Sequence, residues 1–147
     1  MPEQNSSKSL RVLAFDFGTK RIGVATGQSL TQSVMPLATL QAKDGVPNWD
    51  EMAKLVETWQ PDVFLVGLPL TMEGEVGDIV IRARKFAKRL HGRFHRPCYE
   101  MDERLSSFEA EQAVSAGKEK QDIDSLAASV ILASWFRQPD SDLSLIS

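Results

Sequence analysis

Several features that define other protein classes are scarce in this 147-residue chain. Its one cysteine, Cys98, excludes an intrachain disulfide, and because free cysteine is usually buried, we expect a structural thiol. No apolar run approaches the ~20 residues that cross a bilayer. Residues 1–9 lack the basic start and the apolar stretch of a signal peptide. We therefore expect a cytoplasmic protein that makes no membrane contact.

Basic residues are not in excess, since the formal net charge is −3, but they are unevenly distributed. Residues 79–98 include seven arginines and lysines and no aspartate or glutamate, so +7 in this segment leaves −10 on the rest of the chain. Such asymmetry favours a polyanion contact on one side of the protein and metal-binding carboxylates on another.

The composition is that of an ordinary globular protein, with 42% hydrophobic and 25% charged residues. A chain of this length fits one domain, which buries roughly two-thirds of the surface that the unfolded chain exposes. We expect a flexible N-terminal segment at 1–9, a folded domain at 10–137 and a flexible C-terminal tail at 138–147.

Hydrophobic periodicity predicts an α/β fold. The strand patterns lie at 10–15, 22–26, 33–40, 63–67 and 98–101. The helix patterns lie at 49–59, 76–90 and 122–136, with a further helix starting near Ser106, where Ser106 and Glu109 form a capping box. Pro36 suits an edge or a bend in the third strand. The continuous apolar run at 63–67 is typical of a strand covered on both faces.

Asp16 lies where the first strand meets Gly18, and carboxyl ends of strands face the ligand crevice in mostly parallel sheets. This position favours a catalytic role, although a turn-forming aspartate is the alternative. Asp102 and Glu103 follow another predicted strand in the same way. Here the alternative is a solvated charge cluster that pairs with Arg104.

Asp124 falls among apolar residues of the last predicted helix. An unpaired buried charge costs several kcal/mol, so this carboxylate requires a cation, a hydrogen-bond network or a metal. The alternative is a favourable position at the positive end of the helix. Asp122 is the better candidate for the helix N-cap, which favours Asp124 as a ligand.

Carboxylates that converge from two strand ends and a helix would form a hard oxygen site for Mg²⁺ or Mn²⁺. Two such ions about 3.5–4 Å apart can activate water and stabilise the leaving oxygen of a phosphodiester. In this arrangement Asp16 would bridge the two ions.

Basic side chains form a stripe on the helix predicted at 76–90 and just beyond it, which would face solvent or a ligand: Arg82, Lys85, Arg89 and Arg93. Thr71, in the loop after the buried strand, is a candidate phosphate contact, with a plain connecting loop as the alternative. His91 and His95 have zinc-compatible spacing but no third ligand nearby, so we expect structural or phosphate-facing histidines. No motif for a nucleotide cofactor is present.

Together these motifs resemble the YqgF (RuvX) family, relatives of the resolvase RuvC. The resemblance covers roughly residues 10–136 and is carried by four motifs in order: Asp16-Phe17-Gly18 with Arg21-Ile22-Gly23-Val24-Ala25, then Gly67-Leu68-Pro69 through Gly74, Asp102-Glu103-Arg104-Leu105-Ser106, and Asp124-Ser125-Leu126-Ala127-Ala128. It implies a ribonuclease H-like fold with a five-stranded mixed sheet flanked by helices, and an acidic metal site.

The resemblance also implies a nuclease that processes the 5′ end of pre-16S rRNA, with Asp16, Asp102 or Glu103, and Asp124 as catalytic carboxylates. The basic residues that it places near phosphate are Lys20, Arg21 and Arg104. Holliday junction resolution in branched DNA is the alternative activity. A nucleic-acid-binding module that uses only the basic stripe is a third hypothesis, and the oligomeric state is left open.

Overall fold

The computed structural model describes residues 9–69, 77–103 and 123–138, and the backbone of 144–146. Its strands are β1 (Arg11–Asp16), β2 (Arg21–Gln28), β3 (Ser33–Lys43), β4 (Val46–Pro47), β5 (Val63–Leu68), β6 (Cys98–Asp102) and β7 (Ser144–Ile146). Its helices are α1 (Trp49–Trp59), α2 (Asp78–Phe94) and α3 (Ile123–Phe136). Among the residues described, no helix is long and apolar enough to cross a membrane.

The strands form one mixed sheet in the order β4-β3-β2-β1-β5-β6-β7. Strands β1 to β4 pair antiparallel, β5 and β6 run parallel to β1, and β7 is antiparallel to β6. The α/β class and the mixed sheet are confirmed, but the expected number of five strands is wrong. The two extra strands, β4 and β7, are two and three residues long, too short for a periodic pattern to reveal.

The β7 strand comprises three residues of the segment 138–147, for which a flexible tail is predicted. Its backbone pairs with β6, where Ile146 lies opposite Cys98. Without β7, β6 would be an edge strand with unpaired backbone groups. Pairing with β7 provides hydrogen-bond partners for these groups. The other predicted domain boundaries stay predictions.

Side chains alternate between the two faces of the sheet. On the first face, Leu13 and Phe15 of β1 pack with α1 and α2 in the larger core. On the second face, Val12 and Ala14 pack with α3 in a smaller core. Asp16 continues the second series, so its side chain lies on the α3 face at the carboxyl end of β1.

The helices begin and end close to the predicted positions. The bounds of α1 match the prediction, and the Asn48 side chain caps it by accepting from the amides of Asp50 and Glu51 at 2.9 and 3.2 Å. Helix α2 continues four residues past Leu90 to Phe94, and its C-cap is His95, which has a φ of 58°. The predicted helix start at Ser106, with its capping partner Glu109, lies outside the described residues.

Pro36 lies in β3 at a position where β4 does not pair with that strand. It therefore deprives β4 of no hydrogen bond, and the register with β2, in which Pro36 lies opposite Ala25, shifts between Val24 and Ala25. The expected edge position is confirmed. β5 is buried along its whole length, as predicted, and Cys98 is fully buried.

Candidate active site

Asp16, the last residue of β1, is flanked in the sheet by two glycines. Gly23 of β2 is its antiparallel neighbour, and Gly67 of β5 is its parallel neighbour. Because neither glycine has a side chain, the space beside the Asp16 carboxylate is open to groups from other elements. The local sequence therefore provides a pocket on the α3 face at the carboxyl end of the parallel strands.

Glu103 fills the space above Gly67. A Cβ added to Gly67 would lie 2.9 Å from Glu103 Oε2 and 2.7 Å from Ile131 Cδ1 of α3. Glu103 forms a side-chain hydrogen bond with Asp16. The side chain of Glu103, just after β6, thus reaches across β5 to Asp16 at the end of β1.

Asp102 and Glu103 are adjacent in sequence but differ in position. Met101 packs in the core of the α3 face, so strand alternation directs Asp102 to the opposite face of the sheet. Glu103 lies on the α3 face against Gly67 and Ile131. Asp102 still acts on Glu103 through its charge, which raises the pKa of Glu103.

The carboxyl pair holds a proton more tightly than isolated side chains would. Burial, first, and the charge of Asp16 raise the pKa of Glu103 to about 8. Burial also raises the pKa of Asp16, and the nearby charge of Asp124 adds to this rise. Since two carboxylates in contact repel each other, the pair shares a proton, with Glu103 as the donor.

Asp124 lies in the first turn of α3, and its side chain is 30% exposed. Its Oδ2 accepts a hydrogen bond from Arg21 Nε at 3.1 Å, in a pair that joins α3 to the start of β2. A neighbouring cation is one of the three partners that the sequence predicts for the Asp124 carboxylate. The sequence did not identify Arg21 as that cation. The Arg21 side chain is 56% exposed, so its guanidinium is accessible from solvent.

The pocket also has the properties of a cation site, although it is not a closed one. Glu103 Oε2 is buried and has no hydrogen-bond partner among the described residues. Within that same part of the chain, no three His, Cys, Asp or Glu side chains converge closely enough to enclose a metal ion. Asp16 and Glu103 together offer the hard oxygen ligands that Mg²⁺ and Mn²⁺ prefer.

The residues predicted to contact phosphate lie in different parts of the structure. Lys20 is exposed in the turn after Asp16. Arg82, Lys85 and Arg89 are exposed along α2, on the other face of the sheet from the carboxyl pair. Thr71 and Arg104 lie outside the described residues.

Three other basic residues of this region have structural roles. Arg93 lies over the Trp49 ring, 4.3 Å from its centre. His91 Nδ1 is bonded to the Arg96 carbonyl at 2.9 Å, so a structural role is confirmed for this histidine. His95 provides the C-cap of α2.

Comparisons of the sequence with known proteins identify its family. A family profile described as "RuvX: Holliday junction resolvase" matches residues 10–138. A relative from Photobacterium profundum is 53% identical over 138 residues, which cover 90% of this chain and 97% of the relative. A second from Marinobacter nauticus is 50% identical over 133 residues, covering 87% and 93%. Both relatives carry the name "Putative pre-16S rRNA nuclease".

Solved structures share the fold at low sequence identity. Thermus thermophilus RuvC superposes with a TM-score of 0.63 at 10% identity, covering 93% of this chain and all of that one. The fowlpox virus resolvase, solved with Holliday junction DNA, gives 0.53 at 15% identity and covers 87% and 97%. The architecture is therefore that of the ribonuclease H-like resolvases.

Proposed function

Because this chain belongs to the RuvX family, we propose that it is a metal-dependent nuclease that hydrolyses phosphodiester bonds at the Asp16–Glu103 carboxyl pair. The observation that carries the proposal is this half-buried pair, joined through a proton and beside Asp124. Two carboxyl groups that share a proton in a half-buried pocket are unfavourable for stability. Their presence together at the carboxyl ends of the parallel strands favours a role in chemistry.

Asp16 and Glu103 would hold a divalent ion, Mg²⁺ or Mn²⁺, with Asp124 as a further carboxylate beside them. Such ions supply Lewis-acid stabilisation of the charge that develops on a phosphodiester during in-line displacement. The buried, unpartnered Oε2 of Glu103 supports this assignment, because a divalent ion that displaced the proton of the pair would supply the partner that this oxygen lacks among the described residues.

Arg21 would bind and orient the substrate phosphate. Its Nε is held by Asp124, which fixes the guanidinium at the rim of the pocket and leaves its other donors for an anion. Lys20, exposed next to it, would add positive charge along the phosphate backbone. Thr71 and Arg104 stay predicted phosphate contacts, Thr71 from its place in the loop after the buried strand and Arg104 from the family resemblance.

The substrate we propose is the 5′ end of pre-16S rRNA, as the names of the curated relatives suggest. Branched DNA is the second candidate, since the family description names Holliday junction resolution. The fold does not separate the two, because phosphate contacts position a nucleic acid without identifying its sugar.

The test compares wild type with Asp16→Asn on a pre-16S fragment and on a four-way DNA junction, with Mg²⁺ or Mn²⁺ and with chelator. We expect metal-dependent cleavage of the RNA by wild type, and none by the variant, whose circular dichroism spectrum should be unchanged. Preferential cleavage of the junction would favour the second candidate. Cleavage by Asp16→Asn at the wild-type rate would overturn the proposed site.

A further inference from the structure

A cleft of about 340 Å³ lies on the face of the sheet opposite the carboxyl pair. One wall is the turn between β3 and β4, and the other is the exposed side of α2. The residues that line it are Asp44, Gly45, Val46, Arg82, Lys85 and Arg89. Three cations against one aspartate give the cleft a positive charge, which suits an anion.

The turn that forms the first wall is held next to the active site. The Gly45 amide donates to the Thr19 carbonyl at 2.9 Å, and the Ala42 amide donates to the Lys20 carbonyl at 2.8 Å. Both acceptors belong to the turn that follows Asp16. The hairpin is therefore fixed to the same segment of chain that carries the first catalytic carboxylate.

Phe17 fixes the two walls relative to each other. Its ring lies under Gly45, where an added Cβ would be 2.7 Å from Phe17 Cζ. The same ring packs against Phe86 of α2 with 5.5 Å between ring centres. The residue directly after Asp16 thus holds the cleft open and in place, so the cleft does not need to be formed by its ligand.

The cations that line the second wall are available to a ligand. Arg82 forms an ion pair with the exposed Asp78, at 3.3 Å, and solvent screens this pair. Lys85 and Arg89 have no ion-pair partner within the part of the chain that the structure describes. From Arg82 to Arg89 the helix rises about 10 Å, which corresponds to about three base-pair steps along the axis of a duplex.

We propose that this cleft binds the sugar-phosphate backbone of the substrate away from the cleaved bond. A nucleic acid that contacts Arg21 at the carboxyl pair and Lys85 in the cleft would pass over the edge of the sheet, beside Lys20. Substrates with a duplex arm or a long flanking strand would then bind more tightly than short ones. The proposal rests on the proposed function for the identity of its ligand.

The test measures binding in an Asp16→Asn background, so that it does not depend on cleavage. The probes are an RNA stem-loop with a 5′ extension and a four-way DNA junction, titrated at several salt concentrations. Lys85→Gln with Arg89→Gln should weaken the binding of both probes. The slope of log affinity against log salt should fall by roughly 0.7–0.9 for each phosphate that the variant no longer neutralises.

The matched control is Lys54→Gln with Lys88→Gln, which removes two exposed lysines of α1 and α2 that do not line the cleft. Asp44→Asn is a second variant of opposite sign: asparagine tolerates the φ of 53° at this position, and removal of the acid should tighten binding. Thermal melts verify that all variants fold.

Equal weakening of binding in the cleft variant and the control would overturn the proposal, as would unchanged affinity in Asp44→Asn. If the cleft bound an acidic protein segment instead, the cleft variant and the control would weaken nucleic-acid binding equally. Failure of the proposed function is a separate outcome, since it would appear as absence of cleavage by wild type whatever the binding data show.

Discussion

Gly23 of β2 lies against the main chain of Asp124 in the first turn of α3, and a side chain does not fit between them. A Cβ at Gly23 would overlap the Asp124 carbonyl group and lie 2.9 Å from the Ser125 amide nitrogen. Backbone atoms cannot rotate away as a flexible side chain can. The absence of a side chain at Gly23 therefore sets how close α3, and with it the Asp124 carboxylate, approaches Asp16.

Gly23→Ala should displace the start of α3 and reduce activity while the protein still folds. Misplacing a functional group by about 1 Å can cost a hundredfold in rate, and overpacking typically costs about 1–3 kcal/mol of stability. We expect a loss of kcat of that order with a smaller change in KM. Kinetics on the pre-16S fragment and a thermal melt measure the two effects.

Gly92→Ala provides the matched control, because nothing lies within 4 Å of a Cβ at this position of α2. Alanine should stabilise the helix by roughly 0.5–1 kcal/mol and leave activity unchanged. A folded Gly23→Ala protein with the wild-type kcat would contradict the positioning role.

Sequence periodicity predicted the elements that carry the candidate site. An apolar run of β-type placed Asp16 at a strand end, and the Trp49–Trp59 helix was predicted with its observed bounds. These features are local, because each depends on the alternation of a few neighbouring residues. The same reasoning placed Glu103 beyond the end of β6 without giving the face on which it lies.

The contacts that build the site are not local, and this is why the sequence did not predict them. Arg21 and Asp124 are 103 residues apart, and their pairing depends on how α3 packs across β2. Gly67 accommodates Glu103 only because β1, β5 and β6 pair in one particular register. The register follows from the packing of both cores, which no single segment specifies.

Cys98 should be nearly inert toward alkylating reagents in the folded protein. Burial raises the pKa of its thiol to about 12, and the charge of Glu100 adds to this rise. Since the thiolate is the reactive species, about one molecule in 10⁴ would be reactive at pH 8 even with access. Mass spectrometry should show slow alkylation by iodoacetamide in buffer and rapid alkylation in guanidinium. Equal rates would show that the strand opens readily.

The stability of the metal-free protein should fall as pH rises from about 4.5 to about 8. Glu103 has an ordinary pKa of 4.5 and a folded-state pKa of about 8, so the folded state binds more protons in this window. Stability is then lost on the way up and levels off above pH 8. One proton gives at most about 1.4 kcal/mol per pH unit, and partial solvent contact of the carboxyl reduces this.

Denaturant unfolding in chelator at pH 5, 6, 7 and 8 measures this dependence. Glu103→Gln should flatten it, because the variant has no proton to release at that site. Glu57→Gln, which removes an exposed glutamate of α1, controls for the loss of one charge. Parallel pH profiles for wild type and Glu103→Gln would show that Glu103 does not hold the proton.

Glu103→Gln and Asp102→Asn should separate the two adjacent acids by function. Glu103 lies with Asp16 on the α3 face, whereas Asp102 lies toward the opposite face and raises the pKa of Glu103 by its charge. An amide is a weaker ligand for a hard cation than a carboxylate, so Glu103→Gln should weaken Mn²⁺ binding in calorimetry and lower cleavage at least about a hundredfold. Asp102→Asn, an equal change one residue away, should cost less than about tenfold. The reverse ranking would assign the metal to Asp102 and would require the end of β6 to turn its other face to Asp16.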